Sequence, residues 1–183
     1  MIIVKTFIKD LLVFEPKVFE DDRGWFMETY SFNCLKEYGI NISFVQDNHS
    51  FSRDKGILRG LHFQKNPFSQ TKLFRCIRGM VQDVAVDLRK GSPTYKKWFS
   101  VELSSDNKKQ LFIPKGFAHG FLTLSNDVEV EYKVDEFYNK ESERSIRFDD
   151  DELKIEWAVK NPILSMKDKK APFLRDSDIE FTL

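Results

Sequence analysis

The sequence is poor in the residues that stabilise small secreted proteins or mark nucleic-acid-binding ones. Two of its 183 residues are cysteines, Cys34 and Cys76, which is too few for a disulfide framework, and their neighbours do not resemble a metal site. We expect both thiols to be reduced, as cysteines are in the cytosol. Lys plus Arg and Asp plus Glu each total 29, so the basic excess that nucleic-acid-binding proteins usually carry is missing. The composition therefore argues against nucleic acid as a partner.

Long apolar stretches are also missing. No window reaches the length of a membrane span. Residues 1–5 are apolar only briefly and lack the long core and the cleavage site of a signal peptide. We therefore expect a cytoplasmic protein with no membrane partner. The length is enough for one domain with a sizeable core, and we assign residues 1–183 to a single domain.

Phenylalanine, in contrast, is abundant, with 18 residues. Aromatic side chains favour strands, and short apolar runs recur along the chain with turn signals between them, which is typical of an all-β sandwich or barrel. In residues 81–88 the alternation is explicit, because two valines and a leucine share one face while Asp83 and Asp87 share the other. The best strand candidates are 11–14, 25–30, 43–48, 72–77, 81–88, 98–103, 110–113, 121–124 and 128–134.

Helical signals are few. One helix is predicted over 32–38, with Ser31 as its N-cap, Leu35 and Tyr38 facing inward, and a glycine at its end. A second short region, helical or irregular, is predicted over 149–153. The C-terminal tail has little periodicity, and its structure stays open.

Several separated motifs carry the residues suited to chemistry. The most informative, at 56–64, is GILRGLHFQ, which places an arginine and a histidine on a predicted strand and includes glycines that allow a close approach to the backbone. It is followed by IPKGFAHGF at 113–121, by Tyr132 with its neighbouring lysine, and by LSMKD at 164–168. In this order the motifs resemble the signature of the dTDP-4-dehydrorhamnose 3,5-epimerase family, over residues 19–174. The resemblance implies an all-β, cupin-type jelly-roll barrel with one or two short helices.

The resemblance also implies a proton-transfer reaction that needs no cofactor. The reaction expected is inversion of C3 and C5 of dTDP-4-dehydro-6-deoxy-D-glucose through an enolate, which gives dTDP-4-dehydro-L-rhamnose. His62 matches the family's general base, and Asp168 matches the aspartate that orients it. Lys72 matches the position that stabilises the enolate oxygen, and Tyr132 matches the proton donor on the opposite face of the sugar.

A second set of residues is implied to bind the nucleotide sugar. Segments 19–28 and 46–48 match the family's N-terminal binding segments, and Tyr138 matches the aromatic that stacks on the thymine ring. An arginine is suited to a diphosphate because its guanidinium presents paired donors to two oxygens. The set implied by the resemblance is Arg23, Glu28, Gln46, Asn48, Arg59, His119, Tyr138, Glu143 and Lys167.

Alternative functions remain open on the residues alone. Many cupins bind a metal, but here Gln64 follows His62 and no carboxylate stands at 68–70, so we expect no metal site. A non-catalytic sugar-nucleotide-binding cupin would not need a base, a lysine and an acid together. An epimerase acting at only C3 or C5, or on another nucleotide-linked 4-keto sugar, is not distinguished by the sequence. The remaining histidine, His49, is interpreted as structural, and Asp83 receives no firm role.

The expected partners are the nucleotide-sugar substrate and a second copy of the chain. In a minimal jelly roll the N-terminal strands have no obvious partner. The resemblance implies a homodimer in which such strands pair across the subunit interface, and we therefore predict a homodimer.

Overall fold

Two β-sheets form the framework of the computed structural model, which describes residues 1–182. Short helices and irregular segments flank them. In chain order the elements are β1 (Ile2–Lys5), β2 (Leu12–Glu15), β3 (Val18–Asp21), β4 (Gly24–Met27), α1 (Phe32–Glu37), β5 (Gln46–Ser52), β6 (Ile57–Gln64), β7 (Lys72–Arg78), β8 (Met80–Asp87), β9 (Trp98–Ser104), β10 (Gln110–Ile113), β11 (Phe117–Thr123), β12 (Val128–Val134), β13 (Glu143–Ser145), β14 (Ile163–Leu164), α2 (Met166–Lys169) and a 3-10 helix (Leu174–Asp176).

The first sheet has the strand order β1-β2-β10-β7-β12-β5, and the second has the order β13-β6-β11-β8-β9. Neighbouring strands within these orders are antiparallel, whereas β14 adds to β6 in parallel. Strands β3 and β4 form a separate hairpin. An apolar core fills the space between the two sheets. Its buried members include Phe74, Val81, Ala85, Leu103, Leu111, Ile113, Phe117, Phe121, Val128 and Val130.

Strand β8 is buried on both faces. The predicted alternation is correct, with Val84 and Val86 on one face and Asp83 and Asp87 on the other, but both faces are covered. The two aspartates share the inner face with the core between the sheets. The outer face of β8 is covered by the C-terminal part of the chain, through Ile146, Leu153, Leu174, Ile179 and Phe181.

Helix α1 covers the outer face of the first sheet. Ser31 caps it as predicted, since its Oγ accepts a hydrogen bond from the backbone N–H of Cys34 at 3.4 Å. Leu35 is buried against Phe14 and other apolar side chains of this sheet. Tyr38 does not face inward as predicted. It follows the last helical residue, is 51% exposed, and its hydroxyl donates to the backbone oxygen of Met1.

One glycine of the 56–64 motif, Gly60, lies where β6 and β11 approach each other closely. Gly60 has a φ of +130°, and a Cβ atom added there would lie 2.5 Å from the Cα of Gly120. Such a separation is too short for any side chain, so the two strands require glycine at this crossing. The pairing register shifts at the same point, between His119 and Phe121. This irregularity lies directly beside the histidines of both strands.

Three predicted strands have clearly wrong boundaries. The strand predicted over 43–48 begins at Gln46 and continues to Ser52, because β5 alternates polar residues rather than apolar ones. The strand predicted over 121–124 begins four residues earlier as β11, and the one predicted over 25–30 ends as β4 at Met27. Strands β1, β3, β13 and β14 span two to four residues each, too few for an alternation to be visible in the sequence.

The predicted all-β, cupin-type jelly roll with two short α-helices is confirmed. Its two layers are open sheets that face each other rather than one closed barrel. The region predicted at 149–153 is irregular, with the buried Asp150 carboxylate accepting hydrogen bonds from three backbone N–H groups. The tail contains α2 and the 3-10 helix, and α2 lies beside β6, where it contributes to the cavity described next.

Candidate active site

A cavity of about 490 Å³ opens between the two sheets. Strands β6 and β11 of the second sheet form one wall, strands β5, β7 and β12 of the first sheet form the other, and the segment from β14 to α2 closes one side. All four residues predicted for catalysis and two of those predicted for binding line the cavity. Its ionisable lining residues are Arg59, His62, Lys72, His119, Tyr132 and Asp168.

On the wall of the second sheet, His62 and Asp168 form a hydrogen-bonded pair. The Nε2 of His62 lies 2.6 Å from Oδ1 of Asp168, and the hydroxyl of Ser165 donates to Oδ2 at 2.8 Å. Burial by itself would raise the pKa of Asp168, but the hydrogen bonds from His62 and Ser165 outweigh it and hold that pKa below its usual range. The ionised carboxylate therefore fixes the imidazole ring and its proton on Nε2.

A second histidine–aspartate pair lies beside the first. The Nε2 of His119 is 2.7 Å from Oδ1 of Asp83, and both side chains are buried. Burial raises the pKa of Asp83 and lowers the pKa of His119, and their mutual attraction opposes both shifts. Both shifts favour the uncharged forms. Among residues 1–182, the other carboxyl oxygen of Asp83 has no hydrogen-bond partner.

The opposite wall carries Lys72 and Tyr132 on the neighbouring strands β7 and β12. Burial lowers the pKa of Lys72 to about 8, against the attraction of Asp83 and Glu143. Burial also raises the pKa of the Tyr132 phenol, which keeps its proton at neutral pH. The Lys72 ammonium lies 5.9 Å from the centre of the Tyr132 ring. A lysine and a protonated phenol therefore face the carboxylate-bound histidine across the cavity.

Phe74, on β7, contacts aromatic rings of both walls. Its fully buried ring is 5.8 Å from that of Tyr132 in a stacked arrangement, and 4.8 Å from that of His119, edge to face. Such contacts fix ring planes as well as bury apolar area. The residue patterns did not indicate this role, because Phe74 is one phenylalanine among 18.

Arg59 borders the cavity from β6. Its Nε donates to the hydroxyl of Ser52 at 3.2 Å, and its Nη2 donates to the backbone oxygen of Phe51 at 3.1 Å. These bonds tie the guanidinium to β5 of the other sheet. On β5 itself, Gln46 and Asn48 point to the same side, where the amide of Gln46 donates to Oδ1 of Asn48 at 2.8 Å.

A polar cluster stands beside the cavity, on β13, α2 and the segment after β12. The hydroxyl of Tyr138 donates to Oε2 of Glu143 at 3.1 Å, and the Lys167 ammonium lies 2.6 Å from Oε1 of the same carboxylate. The backbone N–H of Tyr138 also donates to the side-chain oxygen of Gln46 at 3.3 Å. Residues predicted to bind one ligand are thus already connected to one another.

Residues 5–176 match the family model described as dTDP-4-dehydrorhamnose 3,5-epimerase, which covers most of the chain. The chain belongs to the dTDP-4-dehydrorhamnose 3,5-epimerase family. It is 53% identical over 179 residues to the enzyme of that name from Shigella flexneri, an alignment that covers 97% of this chain and 98% of the relative. It is therefore an epimerase of this family.

Solved structures of the family superimpose closely on this chain. One is dTDP-4-dehydrorhamnose 3,5-epimerase from Bacillus anthracis with TDP and PPi bound, at a TM-score of 0.92 and 50% identity, covering 94% of this chain and 98% of that one. Another is dTDP-6-deoxy-D-glucose-3,5-epimerase from Legionella pneumophila in complex with dTDP-4-keto-L-rhamnose. Its TM-score is 0.92 at 46% identity, with 96% of this chain and 94% of that one covered.

Of the residues implied by the family resemblance, two belong neither to the cavity lining nor to the hydrogen-bonded groups beside it. Arg23 and Glu28 lie on or just after the β3–β4 hairpin, where both are exposed. The Arg23 guanidinium is 2.6 Å from the Asp21 carboxylate in the same turn. The side chain of His49 also lies outside the cavity and contacts Glu129 at 3.1 Å, which agrees with its structural interpretation.

Phe74, Asp83 and Ser165 are site residues to which sequence reasoning assigned no role. An aspartate on the inner face of an otherwise apolar strand was the signal for Asp83, because a buried carboxyl needs a partner. Within residues 1–182, no group of three or more His, Cys, Asp or Glu side chains is arranged to hold a metal ion. No helix in the same range has the length and hydrophobicity to cross a membrane.

Proposed function

We propose that this epimerase inverts both C3 and C5 of dTDP-4-dehydro-6-deoxy-D-glucose and forms dTDP-4-dehydro-L-rhamnose, within a single domain and without a cofactor. The observation that carries the proposal is the placement of a carboxylate-bound histidine and a protonated tyrosine on opposite walls of one cavity. Inversion of a carbon requires a base on one side of the sugar ring and an acid on the other. The family relatives that bear this activity in their names support the substrate.

His62 is the proposed base. Its Nε2 proton is held by Asp168, so Nδ1 is the nitrogen that accepts a proton from C3 or C5. The C–H bond breaks, its electron pair forms the enolate with the C4 carbonyl, and the imidazole becomes an imidazolium beside the ionised Asp168. Asp168 stabilises this cation, as carboxylates do beside catalytic histidines.

Lys72 and Tyr132 complete the proposed reaction from the first sheet. The negative charge that develops on the C4 oxygen is met by the Lys72 ammonium, which the walls of the cavity partly shield from water. Tyr132 gives its phenol proton to the opposite face of the carbanion carbon, and solvent exchange then returns the base and the acid to their starting states. Each inverted centre loses one proton to His62 and gains one from Tyr132.

The nucleotide is proposed to lie along Arg59 and His119 at the cavity and to extend past it to Gln46, Asn48 and the cluster of Tyr138, Glu143 and Lys167. The Bacillus anthracis relative, which binds TDP and PPi, supports a nucleotide-diphosphate ligand. Arg59 and Lys167 supply positive charge for the diphosphate. The exposed ring of Tyr138 is available to stack on the base.

The test is conversion of dTDP-4-dehydro-6-deoxy-D-glucose in heavy water, followed by NMR. Double epimerisation predicts deuterium at both C3 and C5 of a product with the L-rhamno configuration. Deuterium and inversion at one carbon alone would replace the proposal with the mono-epimerase alternative. Binding without any exchange would favour the non-catalytic alternative.

We also propose a homodimer, because the β3–β4 hairpin is suited to contact a second copy of the chain. Its side chains Phe19, Trp25 and Phe26 are 52%, 55% and 69% exposed, an apolar surface unusual for a small hairpin. Arg23 and Glu28 lie on the same segment, outside the cavity of their own chain. The binding role implied for them then requires the cavity of the partner.

The dimer is tested by sedimentation and by mixing variants. A dimer at micromolar concentration is expected, and a monomer would count against it. If Arg23 acts on the partner's cavity, mixed dimers of Arg23→Ala and His62→Asn each contain one site with both native residues. Activity should then appear on mixing two weak variants. No gain on mixing would mean that Arg23 does not act across the interface.

A further inference from the structure

Two consecutive residues attach helix α2 to the second sheet. Lys167 pairs with Glu143 on β13, with 2.6 Å between Nζ and Oε1. Asp168 pairs with His62 on β6, with 2.6 Å between Oδ1 and Nε2. Successive side chains of an α-helix point about 100° apart, so these two bonds leave the helix in different directions.

The two attachment points lie on neighbouring strands. Strand β13 pairs with β6, with Glu143 opposite Gln64 and Ser145 opposite His62. Glu143 and His62 therefore belong to the same face of the sheet, one strand apart. Two bonds to two strands fix the rotation of α2 about its own axis, whereas one bond would act as a pivot.

Backbone contacts hold the two ends of the α2 segment, and within it the Ser165 hydroxyl donates to Oδ2 of Asp168 at 2.8 Å. On one side β14 pairs with β6, and on the other the Arg147 N–H donates to the backbone oxygen of Pro172 at 2.9 Å. Glu143 is itself held in place, since its second oxygen accepts the Tyr138 hydroxyl. Its carboxylate is thus a fixed anchor for Lys167.

We propose that Glu143 is a positioning residue for the proton transfer: through Lys167 it fixes the rotation of α2 and holds Asp168 on the Nε2 of His62. Its effect on turnover rests on the base role proposed above for His62, but the geometric part does not. Asp168 keeps the imidazole proton on Nε2 and leaves Nδ1 as the acceptor. Loss of the Glu143–Lys167 pair allows the carboxylate to move and the proton to redistribute between the two nitrogens.

The decisive measurement is the imidazole tautomer of His62 in the free protein, read from the 15N NMR shifts of labelled histidine in mildly alkaline buffer. The His62 signals are assigned by their loss in His62→Asn. Glu143→Gln keeps the side-chain shape and an acceptor for Tyr138 but removes the charge, and Lys167→Met removes the partner charge. Both variants should shift the tautomer away from Nε2–H, and the double variant should shift it no further than either single one.

Lys169→Met is the matched control, because it removes the same charge from the same exposed helix, and no ion pair to Lys169 is found in residues 1–182. It should leave the tautomer unchanged.

In Glu143→Gln the kcat should fall by roughly tenfold, well short of the 10²–10⁴-fold that loss of a general base costs. A native tautomer in Glu143→Gln and Lys167→Met, with only KM raised, would reduce both residues to ligand contacts and overturn the proposal. A shifted tautomer with native kcat would support the positioning and overturn instead the base role of His62.

Discussion

His62 and His119 lie directly opposite each other on β6 and β11, yet their imidazoles bind aspartates from different parts of the fold. The side chain of His62 is 30% exposed to the cavity and that of His119 is 8% exposed. Only the more exposed ring has a carboxylate whose pKa is lowered, so the His62–Asp168 pair is better suited than the His119–Asp83 pair to hold a positive charge.

The first prediction separates proton removal from inversion. His62→Asn should lose both deuterium exchange into the sugar and epimerisation in heavy water, because no proton leaves carbon. Tyr132→Phe removes one hydroxyl from the opposite wall and keeps the ring that stacks on Phe74. It should still exchange deuterium from the side of His62 while forming little inverted product.

The comparison of the two variants contains its own control, since only Tyr132→Phe is expected to retain exchange. Exchange and inversion are measured on the same NMR sample, so substrate quality affects both equally. Exchange at the native rate in His62→Asn would place the base elsewhere. Equal loss of exchange and inversion in Tyr132→Phe would mean that the tyrosine does more than donate a proton.

The second prediction compares the two aspartates. Asp168→Asn replaces an ionised acceptor by an amide and should lower kcat in the manner of a weaker His62→Asn, because the imidazolium loses its counter-charge. Asp83→Asn alters a carboxyl whose pKa is raised by burial and whose partner, His119, is only 8% exposed. It should lower kcat much less than Asp168→Asn. The measurement is kcat for both variants, with circular dichroism to verify folding, and a reversed order would assign the base to His119.

Much of this arrangement was predictable from residues close together in sequence. The inner and outer faces of β8, the cap at Ser31 and the presence of His62 on a strand all follow from local patterns. The bond between His62 and Asp168 spans 106 positions and depends on how α2 returns to β6, which no local pattern encodes. The family resemblance supplied that pairing.

Other features could not be anticipated because they depend on packing across the sheets. The polar face of β5 lies toward the cavity. Apolar alternation therefore placed the predicted start of this strand too early. The bond of His119 to Asp83 joins two strands whose register shifts nearby, at Gly60 and Gly120. The single domain, the cytoplasmic location, the dimer and the individual residue roles stay predictions.

The third prediction is an alkaline limit set by Lys72. Burial lowers the pKa of this amine to about 8, and only its protonated form can stabilise an enolate. Turnover should therefore decline as the pH rises through about 8, on the alkaline limb of the pH–rate profile. Lys72→Met should lose about 10²–10³-fold in kcat at neutral pH, as deletion of an oxyanion-stabilising donor does.

Lys72→Arg tests whether deprotonation of Lys72 causes the alkaline decline in turnover. A guanidinium stays protonated throughout the accessible range, so the variant should retain part of its activity and lose the limb near pH 8. Persistence of that limb in Lys72→Arg would assign it to another group. Lys169→Met, which alters an exposed lysine, should keep the native profile.

The fourth prediction concerns stability and a buried ion pair far from the chemistry. Arg89 is buried, and its guanidinium binds the fully buried Asp87 carboxylate at 2.9 and 3.0 Å. Its Nη1 also lies 3.0 Å from Asp10, and the guanidinium stacks over Phe117 at 4.6 Å. Arg89 thereby joins the β1–β2 loop to the end of β8 and the start of β11, the strand that carries His119.

Arg89→Met should lower the free energy of unfolding by about 3–5 kcal/mol at neutral pH, because it leaves a buried carboxylate without its counter-charge. Burial alone would raise the pKa of Asp87, but the hydrogen bonds from Arg89 and its neighbours hold it below the ordinary value of 3.8. A depressed carboxyl pKa contributes stability above that ordinary value, and the contribution is lost as the pH falls through the folded-state value. The difference in unfolding free energy between native protein and variant should therefore be largest at neutral pH and shrink in acid below 3.8.

Urea unfolding at several pH values measures this difference. Arg175→Met, which breaks an exposed pair with Asp151, is the control and should leave the unfolding midpoint nearly unchanged. A loss in Arg89→Met that stays constant into acid would show that packing on Phe117, rather than the charge of Asp87, is what the arginine contributes.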